Sequence, residues 1–584
     1  MGTISDKLMR IINTKEDIRQ ALISKGYDVP TSIPFKEYAK MILDLPCIAD
    51  SFPDIEGIVA RYSASGLTNE QMAANPVWVD KTGNGHDLQL KNFAWKGMSG
   101  VGGYVGDFSK WVNNRDTTEI GITKSNPKVI IDVKVSQGSG KNIVFISKSN
   151  LGISNNVTIK ITSTYPEGVM KFANSASNKY LKLPSNGIIT LQDNPEYTSN
   201  EMHLHLASAD LGQITIEQLP LYPGFILGDG VDDFAVTEKE LNFEDTYTVY
   251  TAFIPFQNNP TRNMILCGAD SKKTFSMQYS SLVYVSFIAG NNYYINANFV
   301  NGLNLFACKR NGNNICIKNL LTNKVVTGTC GDWVENAGLY YLWKNATYAS
   351  FAKAAIAGQT ICNGYFSTDE DDEKVLNWYK KQYPWLFPDQ AWTTVGKTNE
   401  DEDRATIANI TGNGNDLVLS NFGFAEGNGY NEEGEYAGYL VTDGVDDKIT
   451  SSTFEMGNDW TVIGDWELIN TGKNNNAGIV KFNSIVIYNY NPILINIKNG
   501  RNNLIPDQNT VNAICSDGRI YSKDWKESIY NEETESTSKN LLTIGYSGNA
   551  YTKIAFKNLA IYPTVLSRED CIKAYNYLQT LKAK

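Results

Sequence analysis

Histidine is almost missing from this chain: His86, His203 and His205 are all it has in 584 residues. A Ser-His-Asp triad has to draw on one of them, and no nucleophile-elbow phrase surrounds any serine. Cysteine is scarce too. The eight present show no Cys-x-x-Cys spacing, which argues against zinc or a disulfide framework and for mostly buried free thiols of a protein made in a reducing cytosol. Positive charge is in deficit. A net charge of −11 spread along the chain keeps it soluble and argues against a nucleic-acid partner, which needs a cationic face. Long apolar runs are absent, so no helix inserts in a membrane. Lys7, Arg10, Lys15, Glu16 and Asp17 interrupt any signal-peptide core, and Asp6 stands where myristoylation needs Ser or Thr.

What is plentiful is tyrosine and glycine, 32 and 47 residues, against a modest 18 prolines. That balance favours strands joined by tight turns. With 42% hydrophobic and 20% charged residues the chain is globular, and its length allows about three to five domains.

Two phrases occur twice. Thr82-Gly83-Asn84-Gly85-His86-Asp87-Leu88-Gln89-Leu90-Lys91-Asn92-Phe93 returns as Thr411-Gly412-Asn413-Gly414-Asn415-Asp416-Leu417-Val418-Leu419-Ser420-Asn421-Phe422, 329 positions on. Gly228-Asp229-Gly230-Val231-Asp232-Asp233-Phe234 returns as Thr442-Asp443-Gly444-Val445-Asp446-Asp447-Lys448, only 214 positions on. The first copy therefore holds 115 residues between its phrases that the second lacks. A repeated domain with another domain nested in one copy explains the difference. The expected layout is a leader over 1–50, a first copy over 51–116 plus 224–388, a nested β-sandwich over 117–223, and a second copy over 389–584. Seven short strand candidates between Lys128 and Leu219 suit a sandwich of its own. Each copy closes on a helix, Val375 to Tyr379 in the first and Ile572 to Leu578 in the second.

In the leader, Ile4, Leu8, Ile11, Ile18 and Leu22 follow the spacing of a coiled-coil seam, with Lys15 at the one missing position. Thr14 to Asp17 reads as a capping box, and Lys25-Gly26 as a stop. The segment is read either as a cap on its own sandwich or as a docking and self-associating element. Thr14-Lys15-x-x-Ile18-Arg19-x-Ala21-Leu22-Ile23-x-Lys25-Gly26-Tyr27-Asp28-Val29-Pro30, then Pro34-Phe35-x-x-Tyr38-Ala39-x-x-Ile42, resembles the leader of head-fibre and tail-fibre proteins of tailed phages, above all crAss-like and related phages of gut bacteria. The resemblance implies a virion location, after synthesis in the host cytoplasm, with other virion proteins held through the leader. A homo-oligomer is expected, a trimer before a dimer.

The Gly-Asn-Gly turn, the Asp-Gly-Val-Asp-Asp turn, the run Ile554-Ala555-Phe556-Lys557-Asn558-Leu559-Ala560-Ile561-Tyr562 and the closing Leu566-Ser567-Arg568-Glu569-Asp570 resemble the concanavalin A-like (laminin G-type) jelly roll. The fold class expected is thus mainly β: a short helical leader, then two such sandwiches, the first carrying the insertion. That superfold hosts lectins, glycosidases and inert spacers alike.

Candidate chemistry is sparse. Asp229, Asp232 and Asp233, with Asp443, Asp446 and Asp447, are read either as self-bonded turns or as a calcium site, the one cofactor considered. His203 and His205 share a strand face, where a surface pair competes with a metal pair. His86 fills the place of Asn415, which fits a residue tolerant of left-handed backbone. Glycoside hydrolysis needs two carboxylates about 5–9.5 Å apart, and no Glu-x-Asp-x-x-Glu strand is present. No catalytic residue is assigned. Tyr279, Tyr284, Tyr293, Tyr294, Tyr488 and Tyr490 are candidates for a sugar-stacking platform, or for core. The function expected is virion display of lectin-like domains that adhere to host-surface or mucosal glycans. A polysaccharide depolymerase and a ligand-free spacer or capsid decoration are its rivals.

Overall fold

The computed structural model describes residues 52–583 except for short stretches, the longest being 192–200, 257–263, 470–477 and 530–539. The chain divides into two compact units, Met1–Asp54 and Ile55–Lys584. All the leader residues named above lie outside the described residues. The second unit is mainly antiparallel β-structure arranged in sandwiches.

The first copy pairs two eight-stranded sheets. One runs from Lys324–Thr329 through Asn314–Asn319, Asn304–Asn311, Thr246–Pro255, Lys353–Asn363 and Tyr222–Asp229 to Gly100–Gly102, with Ile58–Ser63 also paired to Lys353–Asn363. The other starts at Val77–Trp78 and Leu88–Lys91 and ends at Tyr284–Ile288 and Tyr294–Asn298. Tyr62, Val249 and Phe306 from the first sheet meet Leu88, Ala235 and Met277 from the second in one core. The second copy repeats both strand orders, with Ile554–Tyr562 taking the place of Lys353–Asn363 and Gln390–Thr393 that of Ile58–Ser63. Its core gathers Trp392, Leu417, Ile449, Val462 and Phe556.

Between the paired strands Gly100–Gly102 and Tyr222–Asp229 lies a third sandwich of two five-stranded sheets. Along its strand Lys128–Val133 alternate residues are buried, the signature of a sheet with one wet face. The sequence-based limit at 117 falls inside this sandwich. Phe108 and Trp111 are fully buried in its core, and Val112–Asn113 pairs with Ser139–Ile146. At the other end Tyr222 is already opposite Gly102 in the first copy. Three of its strands, Val112–Asn113, Ile120–Ser125 and Met170–Ala173, are absent from the sequence reading; each is short or polar enough to pass for a loop. The insertion's ends are neighbours, since Leu221 N–H donates to the Gly103 carbonyl at 3.0 Å. A loop tip of that kind accepts a domain without disturbing the host sheets.

Two helices close the copies: α1, Asp369–Gln382, and α2, Arg568–Leu578. Thr368 and Asp371 form a capping box on α1, and four acids occupy its first turn, where the helix dipole favours them. α1 is fixed to the sheet by a buried ion pair. Lys309 Nζ lies 2.7 Å from Asp372 Oδ2 and donates to the Ser367 carbonyl, while Tyr250 O–H and Ser367 O–H donate to Asp372 Oδ1. Lys318 Nζ adds a fourth contact, 3.0 Å from Asp372 Oδ2, so four donors meet that carboxylate, the condition under which buried charge is tolerated.

Candidate functional site

The repeated phrases meet in space. In the first copy, Thr82 Oγ1 and Asn84 Nδ2 both donate to the Val59 carbonyl, at 3.3 and 2.9 Å. In the second, Thr411 and Asn413 hold the Asp389 carbonyl in the same way, at 3.1 and 2.9 Å. Asp87 and Asp416 each accept a backbone N–H, from Asp80 and Asn409. Asn92 and Asn421 adopt left-handed backbone, φ 68° and 70°, and their amides donate to the carbonyls of Asp232 and Asp446. So the end of the first phrase clamps the acidic turn of the second. Asn415 takes a φ of 63° and His86 does not, so the tolerance of left-handed backbone expected at that position is used in the second copy.

Each acidic turn is stitched by its own carboxylates. Asp233 Oδ2 accepts from Asp229 N–H at 2.9 Å, and Asp229 Oδ1 from Val231 N–H at 2.7 Å. Asp447 and Asp443 repeat this at 2.6 and 2.7 Å. In both turns the three acids offer oxygens within 4.8 Å of one another. Burial pushes the Asp233 carboxyl up to about 6, against the pull of the Asp229 N–H and the Ser99 hydroxyl. Burial likewise pushes Asp447 up to about 7; the Asp443 N–H opposes the rise, and the carboxylates of Asp443 and Asp446 add to it.

His203 and His205 project half-buried from one face of the strand Met202–Ser208. His203 Nδ1 meets the Asn114 amide at 2.9 Å and packs edge-on against Phe145. His205 Nδ1 meets Asn142 Oδ1 at 3.1 Å, and burial, then the charge of Lys171 opposite it in the sheet, lower its pKa. A cation so close to His205 disfavours a metal on that face. Tyr279, Tyr284 and Tyr294 fall on three consecutive strands at one edge of the first copy, and Tyr488 on the counterpart of the Tyr279 strand. The side chains of these four lie outside the described residues, as do Tyr293 and Tyr490 altogether.

A cleft of about 500 Å³ opens between the two copies, lined by none of the candidate site residues named from the sequence. α1 and the segment after it supply Leu376, Lys380, Lys381 and Leu386; the second copy supplies Thr411 and Asn413. Its floor is rigid. Tyr577 of α2 accepts the Leu303 N–H at 2.7 Å and packs edge-on against Trp385. The volume falls in the range of about 300–1,000 Å³ usual for ligand sites. Asp389 is the one acid among the lining residues, and burial raises its pKa, with Lys380 pulling the other way. Only the repeated Thr-Gly-Asn phrase hints at this place; the cleft exists because two distant copies abut.

No family model matches the chain, and no curated protein matches it. Among solved structures the chain is similar to the botulinum neurotoxin serotype D binding domain, at 9% identity and a TM-score of 0.26 over 71% of this chain and 99% of that one. It is also similar to the exoplasmic/lumenal domain of VIP36 in a Ca²⁺/Man3GlcNAc-bound form, at 8% identity and a TM-score of 0.20 over 27% and 85%. A third is domain 4 of AbnA, a GH43 extracellular arabinanase from Geobacillus stearothermophilus, in complex with arabinotriose, at 14% identity and a TM-score of 0.20 over 26% and 80%. The architecture itself rests on the sheet orders and shared cores given above.

Proposed function

We propose that this protein is a structural component of a phage virion, a head or tail fibre or appendage, whose sandwiches adhere to host-surface or mucosal glycans. The leader's resemblance to phage-fibre leaders supports the virion part. The observation that carries the binding part is the cleft between the two copies. It joins an apolar wall, Leu376 and Leu386, to polar groups at its rim, Lys380, Lys381 and Asn413, a mixture suited to a sugar's apolar face and hydroxyls. Lysines at the rim favour an acidic sugar. The reading is binding without hydrolysis, because the cleft lining offers one carboxylate where glycoside cleavage uses a pair. Adhesion then comes from many weak sites on an oligomer.

A glycan array probed with the full chain tests this reading, together with an assay for new reducing ends on the bound polysaccharides. Retention of acidic glycans without new ends is the expected result. An empty array leaves a spacer, and release of reducing ends makes the protein a depolymerase.

A further inference from the structure

The acidic turn of the second copy holds a feature that self-bonding of the turn does not account for. Asp447 is 1% exposed, and its Oδ2 is taken by the Asp443 N–H. Its Oδ1 is equally buried and has no hydrogen-bond partner, and Asp447 itself is one of three acids whose carboxylates come within 4.8 Å of one another. An unpaired carboxylate oxygen out of water is costly, and neighbouring anions make it more so. Among the described residues no lysine or arginine pairs with Asp443, Asp446 or Asp447. Lys448, next in the chain, is spent elsewhere: its Nζ stands 4.7 Å over the Tyr546 ring.

An all-oxygen, triply anionic donor set with one wet edge at Asp446 suits a hard cation that tolerates irregular geometry and keeps some waters. We propose that Asp443, Asp446 and Asp447 bind a divalent cation of the calcium class. Each supplies one carboxylate oxygen, Asp447 through its buried Oδ1, and water completes the shell. The bound ion ties the entry of strand Lys448–Phe454 to the exit of Leu440–Val441, since the three acids span the turn between them. The first copy repeats the group with Asp229, Asp232 and Asp233, and Asp233 Oδ1 is also buried without a partner by distance and angle.

Calorimetric titration of the chelator-stripped full chain with CaCl₂, and with MgCl₂ as comparator, tests the assignment. Saturable calcium uptake is expected with a Kd on the order of 10⁻⁴–10⁻³ M, the range of extracellular modules. Asp447→Asn should lose one equivalent. Asp446→Asn, at an exposed position, should weaken the same equivalent at least roughly tenfold, and it keeps the test decisive if Asp447→Asn fails to fold. No saturable uptake up to about 10 mM, beyond that range, overturns the proposal, and so does uptake unchanged in Asp446→Asn. The glycan reading stands or falls separately, since its cleft shares none of these residues.

Discussion

At Asn421 the backbone turns to a φ of 70° while the side-chain amide donates to the Asp446 carbonyl at 2.9 Å. Alanine in its place loses both the amide bond and the asparagine's tolerance of left-handed backbone. The two losses are about 0.5–1.5 kcal/mol and roughly 1–2 kcal/mol. Asn421→Gly loses only the first, because glycine has no Cβ to clash. Chemical denaturation should therefore rank wild type above Asn421→Gly above Asn421→Ala; equal losses in the two variants would show that the backbone conformation is not what the asparagine supplies. Residues like this mark the limit of the sequence. Asn92 and Asn421 stand out as members of a repeated phrase, but their partners lie 140 and 25 positions away. Repetition reveals that a corner recurs, whereas what the corner holds is set by folding.

Among the elements, strands are the most legible, because alternation of buried and exposed side chains is written locally. Lys128–Val133 is recognisable for that reason, whereas Ile554–Tyr562, buried at every position but Lys557, and the closing helices α1 and α2 are recognisable as parts of a layout that occurs twice. What attaches the helices is not. Asp372 reads as one acid in the charged start of α1, yet it is 2% exposed and bound to Lys309 from the sheet, 63 positions away. Asp372→Asn leaves the Lys309 ammonium buried without its counter-ion, a loss of about 3–5 kcal/mol. Unfolding of the full chain followed by tryptophan fluorescence should show the first copy melting early. A loss below about 1 kcal/mol, the worth of an exposed pair, would mean that water reaches Lys309. α2 carries a second hidden role: Asn576 meets Thr158 of the nested sandwich, and Tyr577 meets Leu303 of the first copy. One helix of the second copy thus touches both neighbours.

At the scale of the whole molecule, the mainly β class and the sandwich architecture follow from composition and from repeats with turn signals. The cleft does not, for its walls come from residues nearly 280 positions apart, Leu303 to Leu581, and no local pattern encodes their meeting. Its chemistry is also the least committed to stability: Lys380 and Lys381 are exposed, so changing them leaves the cores intact. The most direct test of glycan adhesion through this cleft is calorimetry of the best array ligand against wild type and against the full chain carrying Lys380→Glu and Lys381→Glu. The account predicts saturable binding by wild type and at least a tenfold loss in the variant, about 1.4 kcal/mol, with the thermal midpoint lowered by no more than two acids in the last turn of α1 cost, about 0.3–1 kcal/mol each. Equal affinity in the two proteins would place the glycan elsewhere and contradict it.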